Sequence, residues 1–129
     1  MKIGIITTSI RKQSPSPEIA KWTLNQIEDK DKNVEYEIIE LSQFELPLFG
    51  KATTKEENLV MENWKNKVAE MDGYIFVVAE YNHSITSAIK NAIDFLKVEM
   101  ANKPAGFVGY GGLGGIRAIE HFRGILAEF

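Results

Sequence analysis

Three short segments hold most of the side chains that could act on a ligand. In the first, Thr8, Ser9, Ser14 and Ser16 supply hydroxyls and Arg11 and Lys12 supply cations within a single stretch. Such groups beside the unpaired amides of a helix start make an anion site. The pattern GxxxxGK[ST] is absent, so a monoester phosphate suits the loop better than a pyrophosphate. A solvated polar loop closed by an ordinary serine cap has the same composition. The second segment, Glu80, Tyr81, Asn82, His83 and Ser84 followed by Thr86 and Ser87, mixes an aromatic ring with amide and hydroxyl groups. Those are the tools for holding a flat heteroaromatic ring. A solvent-facing turn capped by Ser87 is the plainer alternative. The third segment runs from Gly109 to Gly115 as GYGGLGG.

That last string contains a literal GxGxxG, but the fingerprint belongs to a first strand-helix unit and needs an acidic residue about 20 positions later, ending a second strand. Here Glu128 falls in the last helical pattern. The glycines then serve a tight turn or a close backbone approach to a planar ligand. Arg117 beside them can reach a ligand, a neighbouring subunit or a carboxylate. His83 could act as an acid or base, although a histidine in a polar loop is more often simply exposed. The two histidines, His83 and His121, lie far apart in sequence with no HExxH pattern or carboxylate cluster, so no metal site is expected. The chain has no cysteine, which excludes disulfides, thiolate catalysis and cysteine-ligated clusters. No nucleophile, histidine and acid arrangement is legible.

The elements that must position these segments alternate. Lys2 to Thr7 is an isoleucine-rich run that predicts a buried strand. Ile19, Ala20, Trp22, Leu24 and Ile27 give a first helix its apolar side, with Ser16 as N-cap and Pro17 in the first turn. Val34 to Leu41 alternates as a strand with a wet acidic face, suited to a sheet edge. Leu41 to Gly50 reads as a packed loop. Val60, Trp64, Val68 and Met71 recur at helical spacing, and Gly73 is placed to end that helix. Tyr74 to Ala79 is wholly apolar, as in a central strand covered on both faces. Ala88, Ile89, Ala92, Ile93 and Leu96 predict a third helix, Pro104 to Tyr110 a fourth strand, and Ile119, Phe122, Leu126 and Phe129 a last helix. Such alternation predicts an α/β fold with a parallel sheet and right-handed crossovers, in which ligands bind beyond the carboxyl ends of the strands. All three polar segments lie there.

A chain of 129 residues has room for one domain. Its composition, 44% apolar and 26% charged, is that of an ordinary globular protein. A net charge of -3 with scattered lysines forms no basic stripe, so nucleic acid is not expected as a partner. The apolar run at the N-terminus is too short for a signal sequence or a membrane span, and a cytoplasmic location is expected.

Together the three segments resemble the NADPH-dependent FMN reductase family, with its azoreductase-like and quinone reductase-like members, over essentially the whole chain. Glu80 to Ser84 is similar to the family's PEYN-x-S signature and Ile89 to Phe95 to its LKNAIDW signature. Ser9 with Arg11 is similar to its GSxR phosphate loop, and Gly111, Gly112, Gly115, Arg117 and Ala118 to its glycine-rich loop. The resemblance implies a flavodoxin-like, doubly wound sheet of order 2-1-3-4 over residues 1–129, an FMN-binding domain cut short at the C-terminus. The fifth strand of the usual order is missing, which leaves the fourth as an apolar edge.

The same resemblance implies FMN as cofactor, with Ser9, Arg11 and Ser16 on its phosphate and Glu80, Tyr81, Asn82, Ser84, Gly111 and Gly112 framing its isoalloxazine. No catalytic side chain is implied, because hydride enters at flavin N5. NADPH or NADH would be the donor and a quinone, azo compound, nitroaromatic or free flavin the acceptor, in a homodimer. Thr8 stands where the family has glycine, Ser14 where a second arginine is common, Ala79 for the proline of PEYN and Thr86 for a later proline. Those departures imply a less rigid loop and a weaker hold on phosphate. The alternative readings are a flavodoxin-like electron carrier, which such a small net charge disfavours, and a truncated, non-catalytic domain.

Overall fold

The computed structural model describes residues 1–129. Strand β1 (Lys2–Thr7) leads through a polar loop to helix α1 (Ser16–Ile27), then β2 (Glu35–Glu40) and a single 3-10 turn at Leu41–Gln43. Helix α2 (Lys55–Ala69), β3 (Gly73–Ala79), α3 (Ser87–Asp94), β4 (Ala105–Tyr110) and α4 (Ile116–Leu126) complete the chain. The four strands form one parallel sheet in the order β2-β1-β3-β4, the doubly wound α/β arrangement that the alternation predicts. β4 is an edge, exposed at Ala105 and Gly106 and half-buried from Phe107 to Tyr110.

Alternate residues of β1 and β3 feed two cores, as the period of a strand requires. Ile6, Phe76 and Val78 pack with Trp64 and Val68 of α2, Ile89 and Ile93 of α3 and Phe122 of α4. On the other face Ile5 and Val77 meet only Ala20 of α1 as a fully buried group. With α1 the sole helix there, Trp22 remains 57% exposed, contrary to its place on the predicted apolar side. Thr23 is buried instead, its hydroxyl donating to the Ile19 carbonyl.

Two predicted element ends are corrected. Ser16 is not the N-cap of α1. It lies inside the first turn, Pro15 precedes the helix with no side chain able to cap it, and the Ser16 amide donates to the Ser14 hydroxyl at 3.2 Å. Gly73 does not end α2, which stops at Ala69. Gly73 opens β3, where an added Cβ would lie 3.0 Å from both Ile3 Cδ1 and Pro104 Cγ. The start of α2 carries a capping box unnoticed in the sequence: the Glu57 amide donates to the Thr54 hydroxyl, and the Thr54 amide donates to the Glu57 carboxylate.

At the opposite end of the sheet from the loops, Lys2 Nζ lies 2.7 Å from a Glu37 carboxylate oxygen, and Lys67 Nζ bridges Glu37 and Glu70 at 3.0 and 2.9 Å. The Lys2 hydrogen bond, joined by Lys67, holds the Glu37 carboxyl below its ordinary value, and the Glu37 partner raises Lys2. A depressed carboxylate stabilises the fold above its unfolded pKa, and that stability is lost as pH falls through the folded value. The raised lysine stabilises below its unfolded value and loses that effect as pH rises through the folded one. Glu37→Gln is therefore expected to lower stability at neutral pH and to leave it unchanged well below pH 4.5. Urea unfolding of both proteins across that range checks the convergence.

Candidate functional site

Beyond the carboxyl ends of β1, β3 and β4 the three polar segments meet through hydroxyl groups. Ser9 Oγ lies 2.8 Å from the Tyr81 hydroxyl, joining the first loop to the second. Ser14 and Ser16 both hydrogen-bond the hydroxyl of Tyr110, at the end of β4. Ser16 is fully buried, and its hydroxyl takes this contact in place of a cap. Arg11 and Lys12 are exposed and form no salt bridge. The Ser16 amide at this helix start donates to Ser14 Oγ at 3.2 Å, and the positive end of the helix dipole faces the same loop as the two cations.

Thr8 and Thr86 overturn the expectation of a looser loop. Thr8 is fully buried, and its hydroxyl donates to the Val77 carbonyl at 2.9 Å while accepting the Ala79 amide at 3.0 Å. The Thr86 hydroxyl donates to the Thr8 carbonyl and accepts the Ile89 amide at 3.2 Å, so Thr86 and not Ser87 caps α3. Two of the four residues that depart from the pattern are thus partners, and together they pin the first loop to the start of α3.

Tyr81 to Ser84 form a tight turn. Its ends exchange backbone hydrogen bonds of 2.9 and 3.1 Å, and its two central residues, Asn82 and His83, have φ of 47° and 72°. Positive φ at both positions is the signature of a type I′ turn, where Asn and His are among the better tolerated non-glycine residues. Tyr81, Asn82 and His83 are exposed as a result.

Glu80 points the other way. Its side chain is 6% exposed, pairs with the Arg117 guanidinium and accepts from the amides of Arg117 and Ala118 at 3.2 and 3.4 Å. Burial pushes its carboxyl up, but the Arg117 hydrogen bond and the helix amides outweigh that effect and hold it below the ordinary value. Glu80 thus caps α4 from another element, since Gly115 at the N-cap has no side chain to do so. Of the three roles open to Arg117 in the sequence, pairing with a carboxylate is the one observed. In the glycine loop, Gly111 has φ of 135° and faces Glu80, while an added Cβ at Gly112 would meet nothing within 4 Å. Gly112 is open backbone.

A groove of about 630 Å³ runs beside the first loop, lined by Ser9, Arg11, Ser14, Leu46, Leu48 and Asn91. The last three were not singled out in the sequence. The Asn91 amide donates to the Pro47 carbonyl at 2.9 Å and accepts the Phe49 amide at 2.8 Å, clamping the segment after β2. Its place within the Ile89 to Phe95 motif was the available signal. Glu80, Tyr81, Asn82, Ser84, Gly111 and Gly112 lie outside this groove, so the predicted site residues form a junction of loops rather than one enclosed pocket.

A family model described as NADPH-dependent FMN reductase matches residues 1–129. An NAD(P)H-dependent FMN reductase of Saccharomyces cerevisiae is 32% identical, with 98% of this chain and 73% of that protein covered. An NADPH azoreductase of a Bacillus species is 29% identical, covering 98% and 69%, and an NAD(P)H:quinone oxidoreductase of Solanum tuberosum 32%, covering 97% and 66%. Among solved structures, FerB of Paracoccus denitrificans, a flavoenzyme NAD(P)H:(acceptor) oxidoreductase, superposes with a TM-score of 0.80 at 22% identity over 98% of this chain and 70% of that one. An FMN-dependent NADH-azoreductase from Bacillus anthracis, solved in complex with FMN, gives 0.66 at 16% identity over 98% and 81%.

Proposed function

The chain belongs to the NADPH-dependent FMN reductase family, and from that premise we propose that it binds FMN at the junction of the three loops and passes electrons from NADPH or NADH to a small acceptor. The observation that carries this reading is the hydroxyl-lined start of α1 with its two unpaired cations, tied by hydroxyl contacts to both other loops. The helix amides and dipole favour a phosphate monoester there. Ser9 and Arg11 donate to it from the loop, and Ser16 does so by exchanging the Tyr110 hydroxyl for a phosphate oxygen.

Tyr81, Asn82 and Ser84 frame one edge of the flavin ring from a turn whose backbone is already fixed. Gly111 and Gly112 frame another, the open backbone at Gly112 letting a planar group approach closely. Glu80 contributes from behind, holding the start of α4 and with it the glycine loop. When bound, the flavin accepts hydride at N5 and returns electrons to the acceptor. The chain's residues bind and orient it and leave a ring face open, which suits quinones, azo compounds, nitroaromatics or free flavin. The single 1–129 domain, a homodimeric assembly and a cytoplasmic site of action belong to the same proposal.

Mixing the purified protein with FMN and then with NADPH or NADH in a stopped-flow cell tests it: flavin is expected to co-elute with the protein and to bleach on adding the donor. Protein that leaves FMN free in solution would sink the reading, and flavin that binds without bleaching would favour an electron carrier. Arg11→Ala is expected to weaken FMN by roughly tenfold or more, the worth of a charged hydrogen bond, and to leave riboflavin, which has no phosphate, almost unaffected. Equal losses for both ligands would remove Arg11 from the phosphate.

A further inference from the structure

We propose that His83 and His121 form a two-imidazole site for a divalent first-row transition metal ion at the rim of the loop junction. Thirty-eight positions separate them in the sequence, yet their ring centroids lie 5.8 Å apart, with planes inclined at 44°. A metal about 2.0 to 2.1 Å from an imidazole nitrogen lies roughly 3.2 Å from that ring's centroid, so two rings sharing it at a tetrahedral angle have centroids roughly 5.2 Å apart. The observed separation is about half an ångström wider, a gap that small rotations of two exposed side chains close. The sequence expectation of no metal site rests on distance along the chain and on the lack of an HExxH pattern or carboxylate cluster, and the fold removes the first of these grounds.

The surroundings match what a ligating histidine needs. His121 Nδ1 is 2.9 Å from Ser84 Oγ. With Nδ1–H donating to the hydroxyl, the Nε2 lone pair is left free, the arrangement that orients metal-bound imidazoles in general. Both histidines are exposed, so the ion has an entry path. Each also stands on a rigid support: His83 on a turn closed by two backbone hydrogen bonds, and His121 on a helix whose start Glu80 anchors. No group of three or more His, Cys, Asp or Glu gathers here, so water or a chelating anion completes the shell. Two imidazoles favour Ni²⁺, Cu²⁺ or Zn²⁺ over Mg²⁺ or Ca²⁺, which take oxygen ligands. A bound ion would cross-link the β3-α3 turn to α4.

The site does not depend on the flavin reading, and its test does not use turnover. The full chain, without a polyhistidine tag, is titrated with Ni²⁺ alone by calorimetry and by amide NMR. One site per chain is expected, with paramagnetic broadening centred on Tyr81 to Ser84 and on the first two turns of α4. His83→Asn, which keeps a residue tolerant of positive φ, and His121→Gln are each expected to lower affinity at least about tenfold, and Ser84→Ala to lower it by roughly tenfold through lost orientation of the ring. Circular dichroism confirms that the variants are folded. Unchanged affinity in both histidine variants, broadening centred elsewhere or the absence of binding would overturn the proposal. FMN binding measured on the same samples reports separately on the cofactor reading.

Discussion

Gly109→Ala is expected to destabilise the fold by more than about 3 kcal/mol, beyond the usual cost of overpacking, because its Cβ has no room. The added carbon would overlap the Gly114 carbonyl oxygen and lie 2.7 Å from Ile119 Cδ1. The first obstacle is backbone and cannot rotate away. Relief requires the glycine loop to lift from β4 and carry the start of α4 with it, which pulls Arg117 from the buried Glu80 carboxylate. Flavin affinity should therefore fall together with stability. Gly112→Ala is the contrasting variant in the same loop. Nothing lies within 4 Å of its added Cβ, and its φ is outside the left-handed region, so stability should change by less than about 0.5 kcal/mol. If backbone at Gly112 meets the flavin ring, this variant loses affinity without losing stability. Denaturant titration beside FMN titration separates the two effects, and a Gly109→Ala protein as stable as the parent would show that the loop yields more easily than its geometry implies.

Trp64→Ala is expected to cost about 3 to 5 kcal/mol, the range for removing a buried large aromatic. Trp64 is fully buried, packs edge-on against Phe44 at 5.2 Å and donates its indole N–H to the Ala92 carbonyl at 2.9 Å. Ala92 belongs to the last turn of α3, whose carbonyls have no partners within the helix. The indole thus satisfies one of them from α2. Trp64→Phe keeps most of the volume and leaves that carbonyl without its donor, which should cost about 1 to 3 kcal/mol. Because α3 also carries the Thr86 contact to Thr8, both variants should loosen the first loop. Amide exchange at Thr8 and Ser9 that speeds up in Trp64→Phe by more than the loss of global stability accounts for would read that connection directly.

What the sequence determined by itself is local in origin. The isoleucine run of β1, the apolar block of β3 and the stripe through Val60, Trp64 and Val68 fix element type because strand and helix periods are short-range properties. Their alternation fixes a parallel sheet because crossovers have one hand. Placing the three polar segments at the carboxyl ends of strands follows from that alternation, and the family pattern is carried by the same segments. The capping box of α2 is the same kind of local signal, Thr54 and Glu57 at the required spacing, although no cap is predicted for that helix.

The tertiary structure decided which polar atoms meet. A hydroxyl before a helix caps it in most settings, but Ser16 is drawn to Tyr110, which a strand from the far end of the chain brings beside it. Glu80 stands among ring-framing candidates in the sequence, and its carboxylate turns instead to the start of α4, where a glycine N-cap leaves amides to be satisfied. Trp22 reads as apolar face, yet a single helix on that side of the sheet has no neighbour to cover it. Thr8 with Thr86, and His83 with His121, are pairs that periodicity cannot predict. Each is set by how far the chain travels between strands before returning to the same end of the sheet, which no local pattern encodes.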